Sequence, residues 1–259
     1  MKLREALKGK LSAKEMKILK TSFDTIGEIL IIEIPKELKN KEKIIGQTIL
    51  NLFKNVKTVA VEAGEYTGKY RRQKLRVIAG EKRYETTHKE SGVQLKLDVS
   101  KCYYSPRLGS ERLRIAQQVK KGEKVLVAGS GVAPYPLIIA KHSNAKEIIG
   151  VEANPVAHKY AIENIKLNKT KNIKLVKGDI KKAKLGKFDR IISPIPHIGI
   201  KLVPTLLKFA KKGTILHIYE FAPEDFEEFK IKNCKILKIV KTQQVGVRRY
   251  RICIDAKAL

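Results

Sequence analysis

The chain has 259 residues, 43% of them hydrophobic, with 55 Lys and Arg against 26 Asp and Glu and a formal charge of +29. That size suits one large domain or two small ones with a real core. The charge points to a nucleic-acid partner, because each phosphate neutralised releases counterions. Cys102, Cys234 and Cys253 stand alone, so neither a disulfide framework nor zinc spacing is expected. The histidines are scattered, and no metal site is expected. No apolar run nears the roughly 18 residues of a membrane span, and the first residues lack the apolar core of a signal peptide. These features imply a soluble, cytoplasmic protein without membrane partners.

The first third reads as a small α+β module. Residues 1–20 look helical, with a capping-box pattern from Ser12 to Glu15. Residues 27–34 read as one buried strand closed by Pro35. From Glu37 to Phe53, apolar residues at Leu38, Ile45, Ile49, Leu52 and Phe53 keep helical spacing. Residues 58–61 suit a strand and residues 64–68 a loop. Residues 75–78 and 93–99 alternate like antiparallel strands. A junction at residues 103–112 places a boundary between a domain of residues 1–104 and another of residues 105–259, whose first helix runs over residues 111–119.

From Lys124 onward strands and helices alternate. Strands are expected at 124–128, 147–151, 173–176, 189–193 and 214–219, with a closing pair near 235–240 and 249–255. Helices are expected at 134–141, 155–168 and 200–210, with a short one near 223–229. This alternation predicts an α/β fold, a mostly parallel, doubly wound Rossmann-like sheet. Its ligand belongs at the carboxyl edge of the strands.

One unit organises this half. A strand stops at Gly129-Ser130-Gly131, a helix follows, and the next strand ends on Glu152, 21 residues after Gly131. Glycines allow close approach of a ligand, and such folds place a terminal acid on ribose hydroxyls. A nucleoside cofactor is therefore expected there. Pro134 stands where a dinucleotide fingerprint needs its third glycine, which favours S-adenosylmethionine, a cofactor without a pyrophosphate. Glu152 and Asp179 would hold its ribose and adenine amino group, although Asp179 also suits a helix cap. Asn154, before Pro155, suits capping of the next helix as well as ligand contact. Ser193-Pro194-Ile195-Pro196-His197 follows the fourth strand as a stiff, extended loop able to show carbonyls to a base.

The segments 64–65, 69–71, 79–81, 87–92, 96–98 and 103–112, then Gly131-Val132-Ala133-Pro134, Asn154-Pro155, 164–168 and 248–252, carry a resemblance. The chain resembles the archaeal tRNA (guanine-37-N1)-methyltransferase family and the related aminocarboxypropyl transferase of wybutosine formation. The run Ser105-Pro106-Arg107-Leu108 with Glu111-Arg112 is its most specific part. The resemblance implies transfer from S-adenosylmethionine to the base at position 37 of tRNA, with the anticodon loop as partner and a monomeric enzyme. It implies Glu111 as the base that takes the guanine N1 proton, Arg71 as the group facing the charge on O6, and Pro196 as the loop proline of the catalytic set. The expected cofactor set is Tyr103, Arg107, Gly129, Gly131, Glu152, Ala153, Asn154, Asp179 and Ser193. The first domain would bind RNA and support catalysis, and the second would bind the cofactor. The extra amino-terminal domain of some members has no counterpart in the sequence given.

Three positions depart from the family pattern. Val127 replaces an acid at the end of the first strand, Ala133 replaces a glycine, and Pro194 stands where the family carries Asn. Guanine-N1 methylation is the first expectation. Aminocarboxypropyl transfer, methylation of another base, and a non-catalytic RNA-binding relative are the alternatives.

Overall fold

The structure, a computed structural model, describes residues 2–64, 68, 70, 73–226 and 229–259. They fall into two units, Met1–Lys89 with Leu95–Pro106, and Glu90–Gln94 with Arg107–Leu259.

The first unit begins with two short helices, α1 (Leu3–Ala6) and α2 (Ala13–Ile18). The Ser12 hydroxyl accepts from the Glu15 amide at 3.3 Å, and the Glu15 carboxylate accepts from the Ser12 amide at 2.8 Å. That is the expected capping box. The single strand expected at 27–34 is instead a hairpin of β1 (Phe23–Ile26) and β2 (Ile29–Ile32). Gly27 turns it with φ +56°, and a Cβ there would lie 2.3 Å from the Thr86 hydroxyl. The helix expected from Glu37 starts as a 3-10 turn, Lys36–Lys41, before α3 (Glu42–Leu52). β3 (Thr58–Glu62) runs parallel to β2, and β4 (Leu75–Gly80) runs antiparallel to β3. The sheet order is β1-β2-β3-β4. Leu30, Ile32, Val59 and Val61 pack with Leu7, Leu38, Ile45 and Ile49 as its core. β5 (Glu85–Glu90) and β6 (Val93–Asp98) form a separate two-stranded sheet.

The second unit opens with α4 (Gly109–Gln118), then β7 (Lys124–Ala128), α5 (Pro134–His142), β8 (Glu147–Glu152), α6 (Pro155–Leu167) and β9 (Ile173–Lys177). β10 (Phe188–Ser193), α7 (Gly199–Leu206), β11 (Ala210–Pro223), β12 (Cys234–Gly246) and β13 (Arg249–Ala258) complete it. The sheet order is β12-β13-β11-β10-β7-β8-β9. β9, β8, β7, β10 and β11 are mutually parallel, while β13 runs antiparallel to both β11 and β12. Leu126, Ile191, Leu216, Ile218, Ile252 and Ile254 form the centre of its core with Leu202, Leu206 and Phe209.

The short helix expected near 223–229 is absent among the described residues. β11 runs on through Pro223, which pairs with Arg249. β10 ends against Ile218, so the other side of β11 beyond that point asks no N–H of Pro223. The pairing of β12 with β13 breaks register three times, between Ile236 and Lys238, Lys241 and Gln243, and Gln244 and Gly246.

Candidate active site

Strand order reverses between β7 and β10, where an open α/β sheet leaves a crevice at its carboxyl edge. The turn after β7 lies there. Gly129 and Gly131 have φ of +83° and +56°. The amides of Gly129 and Ser130 donate to the Val151 carbonyl at 2.8 and 3.0 Å, and the Gly131 amide donates to the Glu152 carboxylate at 2.7 Å. Those three amides are consumed by β8, so the turn does not offer them as a cradle for a diphosphate. A Cβ on Gly129 would lie 2.7 Å from Ile195 Cδ1, so the loop after β10 packs directly on the turn. Ala133 is left-handed, at φ +72° and ψ +33°, as the N-cap of α5. A glycine there is strain-free, whereas alanine costs about 1–2 kcal/mol.

Glu152 closes β8. Its carboxylate accepts from the amides of Gly131 and Asn154, the latter at 2.6 Å, and Ala153 lies between. Burial pushes its pKa up against the opposing pull of these amides. Asn154 caps α6, accepting from the Val156 amide at 3.0 Å. Asp179 caps the 3-10 turn Ile180–Lys182, accepting from the Lys181 amide at 3.0 Å. It sits beside Glu152, because the Gly178 amide donates to the Glu152 carbonyl at 2.8 Å. Asn164, fully buried in α6, donates to the Val132 carbonyl at 2.9 Å and holds the turn from behind.

Two hydroxyls bear on whether a nucleoside cofactor fits. Ser130 and Ser193 are 2% and 0% exposed, and neither Oγ has a hydrogen-bond partner among the described residues. They end or follow adjacent strands, β7 and β10. Buried polar groups without partners are uncommon in finished cores. A ligand rich in hydroxyl and amino groups suits such a place, and an acid fixed by backbone amides suits ribose.

Glu111 lies in the first turn of α4, 4% exposed. Arg114, one turn on, grips it with Nε to Oε2 at 2.6 Å and Nη2 to Oε1 at 2.8 Å. Tyr219 Oη donates to Oε1 at 2.5 Å and accepts from Tyr135 Oη at 2.8 Å. Tyr135 is the second residue of α5, so two hydrogen bonds join Glu111 to the helix that follows the glycine turn. Behind Arg114, Asp255 of β13 takes Nη1 at 2.8 Å. Asp255 also bonds His217 Nδ1 at 2.6 Å, and His217 Nε2 lies 2.7 Å from Arg190 Nη1. Arg190 in turn pairs with Glu123 at 2.7 Å. Burial favours a charged Asp255 least, yet the hydrogen bonds from His217 and Arg114 hold its pKa well below the usual carboxylate range. Burial lowers the His217 pKa and raises those of Tyr135 and Tyr219.

The structure thus joins Gly129, Gly131, Glu152, Ala153, Asn154 and Asp179 at one edge, with Ser193 at the end of β10 and Pro196 buried in the adjoining loop. Arg107 lies in a 3-10 turn before α4, and Tyr103 belongs to the first unit. Arg71 lies outside the described residues. Ser130, Arg114, Tyr135, His217, Tyr219 and Asp255 were not singled out by sequence. For His217, Tyr219 and Asp255 the signal was polarity inside apolar strands, as in Ile215-Leu-His-Ile-Tyr219 and Ile252-Cys-Ile-Asp255.

The parallel strands with one antiparallel insertion, the nucleoside-type turn and the strand-end acid define a class I methyltransferase sheet. The TRM5/TYW2 methyltransferase domain matches residues 86–248, and the TYW2 N-terminal domain matches residues 3–83. The chain belongs to the TRM5/TYW2 methyltransferase family. It is 42% identical over 208 residues to the tRNA (guanine(37)-N(1))-methyltransferase Trm5b of Pyrococcus abyssi, covering 80% of this chain and 62% of that relative. It is 32% identical over 246 residues to the tRNA 4-demethylwyosine(37)-methyltransferase Taw21 of Saccharolobus solfataricus, covering 91% of this chain and 93% of that relative. The solved complex of aTrm5 and tRNALeu superposes with a TM-score of 0.91 at 30% identity, over 100% of this chain and 78% of that one.

Proposed function

We propose that this chain transfers the methyl group of S-adenosylmethionine to N1 of guanine 37 in tRNA. The observation that carries this reading is Glu111, a buried carboxylate anchored by Arg114 and tied through Tyr219 and Tyr135 to the helix that leaves the glycine turn. Glu152, Asp179, Ser130 and Ser193 would hold the nucleoside, with Asn154 and Ala153 shaping the strand end and Tyr103 and Arg107 contributing from the preceding segment. When bound, the cofactor supplies a sulfonium-activated methyl group and departs as a neutral thioether.

The chain's own work is proton removal and placement. Guanine N1 carries a proton at neutral pH, so its electron pair is released only as that proton leaves. Among the described residues Glu111 Oε2 accepts one hydrogen bond, from Arg114 Nε, which leaves a lone pair for the N1 proton. Glu111 would take the N1 proton as that electron pair is released toward the methyl donor. Arg71 would face the charge that gathers on O6. The loop expected to be extended is instead a turn at Pro196-His197, closed by the Ile198 amide donating to the Ile195 carbonyl at 3.3 Å, and Pro194 and Pro196 would stiffen that turn beside the base. The surplus of Lys and Arg would follow phosphates of the anticodon arm.

A second reading, methylation of 4-demethylwyosine at the same position, is favoured by the near full-length match to Taw21 and by Pro194, which has no amide to pair with guanine. Purified protein, methyl-tritiated cofactor and two tRNAs, an unmodified transcript and one carrying 4-demethylwyosine, separate the readings by nucleoside analysis. Label in 1-methylguanosine from the transcript is expected. Label only in the tricyclic nucleoside would move the assignment to the second reading. Label in neither, with an aminocarboxypropyl product instead, would overturn both.

A further inference from the structure

The pairing of Glu111 with Arg114 raises a chemical difficulty: a carboxylate wholly neutralised by a guanidinium holds a proton poorly. The network behind the pair answers it. Arg114 is shared: Nε and Nη2 donate to Glu111, Nη1 donates to Asp255 Oδ2 at 2.8 Å, and Nη2 also reaches Asp255 Oδ1 at 3.3 Å. His217 is neutral in this geometry. Its Nε2 faces an arginine N–H, which can only donate, so Nε2 accepts and Nδ1–H donates to Asp255. Arg190 is balanced by Glu123, and Arg112 by Glu90. The cluster of buried Glu111 and Asp255 with half-buried Arg114 therefore carries one carboxylate more than it has guanidinium, a net negative charge that one incoming proton cancels.

We propose that Asp255 is a positioning residue for the methyl-transfer reaction. By taking part of Arg114 it keeps Glu111 from being fully paired, while Tyr219, donating to Oε1, leaves Oε2 as the oxygen open to the N1 proton. This inference rests on the reading of Glu111 as the base. Among the described residues, Arg114 of α4, Tyr135 of α5, Tyr219 of β11 and Cys253 of β13 act on Glu111, Arg112 of α4 lies beside Tyr135, and Asp255 of β13, His217 of β11 and Arg190 of β10 stand behind Arg114.

Two variants pull the charge on Glu111 in opposite directions. Asp255→Asn keeps the oxygen that accepts from His217 but gives Arg114 entirely to Glu111. Tyr219→Phe keeps the ring and removes the donor to Oε1. The measurement is the single-turnover rate of methyl transfer to tRNA across pH, beside the same measurement for Glu111→Gln. In Asp255→Asn the acidic limb of the profile moves to lower pH and the plateau rate falls. In Tyr219→Phe the limb moves to higher pH, each by about one pH unit. A purely structural role for Asp255 would lower the amount of folded enzyme without moving the limb, and opposite shifts in two variants cannot arise from misfolding. Loss of turnover in Glu111→Gln with unmoved limbs in both other variants overturns the inference alone. Wild-type turnover in Glu111→Gln overturns the base assignment and the inference with it. Should Asp255→Asn not fold, Asp255→Ser, which also frees Arg114 for Glu111 while keeping an acceptor toward His217, is read the same way: a limb moved to lower pH supports the inference, and an unmoved limb overturns it.

Discussion

His217 couples folding to pH in a way that can be measured. It is 0% exposed, and its neutral form is the only one that lets Arg190 donate to Nε2 while Nδ1–H donates to Asp255. Burial lowers its pKa from 6.5 by more than Asp255 raises it. Below pH 6.5 the unfolded chain therefore binds a proton that the folded chain refuses. Stability from this residue is complete above that pH and drains away below it, at about 1.4 kcal/mol per pH unit once the unfolded imidazole is protonated. The Asp255 pKa is also depressed, but its loss begins only below 3.8. The raised pKa of Glu152 works with the opposite sign, above 4.5, and His158 titrates in the same direction as His217. These groups cancel when wild type is compared with His217→Gln, which cannot titrate. Urea unfolding of both proteins from pH 8 to pH 5.5 should show the variant weaker by about 1–2 kcal/mol at pH 8. That deficit should shrink below pH 6.5 by about 1.4 kcal/mol per unit. A deficit independent of pH would refute the argument that His217 is held neutral.

Gly199→Ala should destabilise the protein by about 3 kcal/mol, because its Cβ would lie 1.9 Å from the Tyr219 carbonyl oxygen, which is backbone and cannot swing away. An unchanged melting temperature would contradict this. Glu152→Gln should weaken S-adenosylmethionine binding about tenfold by calorimetry, since an amide cannot accept from Gly131, Asn154 and a ribose as a carboxylate can. An unaltered Kd would remove Glu152 from the cofactor set.

The second unit was legible because its strands are continuous apolar runs bounded by Gly, Pro and Asn, as a sheet covered on both faces requires. Glu152, Asn154 and Gly131 could be placed together from spacing alone. Other features depended on contacts distant in sequence. β5, Glu85-Thr-Thr-His-Lys-Glu90, is too polar to read as a strand. His88 falls in the resembling segment 87–92, and its Nδ1 accepts from the Gly27 amide at 3.1 Å, a contact 61 positions apart. The break at Gly27 is set by Thr86, 59 positions on by number and adjacent in space. The network behind Glu111 draws on α4, α5, β10, β11 and β13, so no local pattern announces it. The capping roles of Asn154 and Asp179 were visible, but spacing could not separate capping from ligand contact.

The outermost strands also shape how copies of this chain meet. Among the described strands β12 pairs with β13 alone, at one end of the sheet, and it carries the exposed Lys235, Lys238 and Lys241. Its three register breaks interrupt the even row of donors and acceptors that a neighbouring molecule would need to continue the sheet. β9, at the opposite margin, is five residues long and carries Lys174 and Lys177. Both margins thus discourage edge-to-edge pairing between copies, one through its register breaks, the other through its shortness, and both through their lysines.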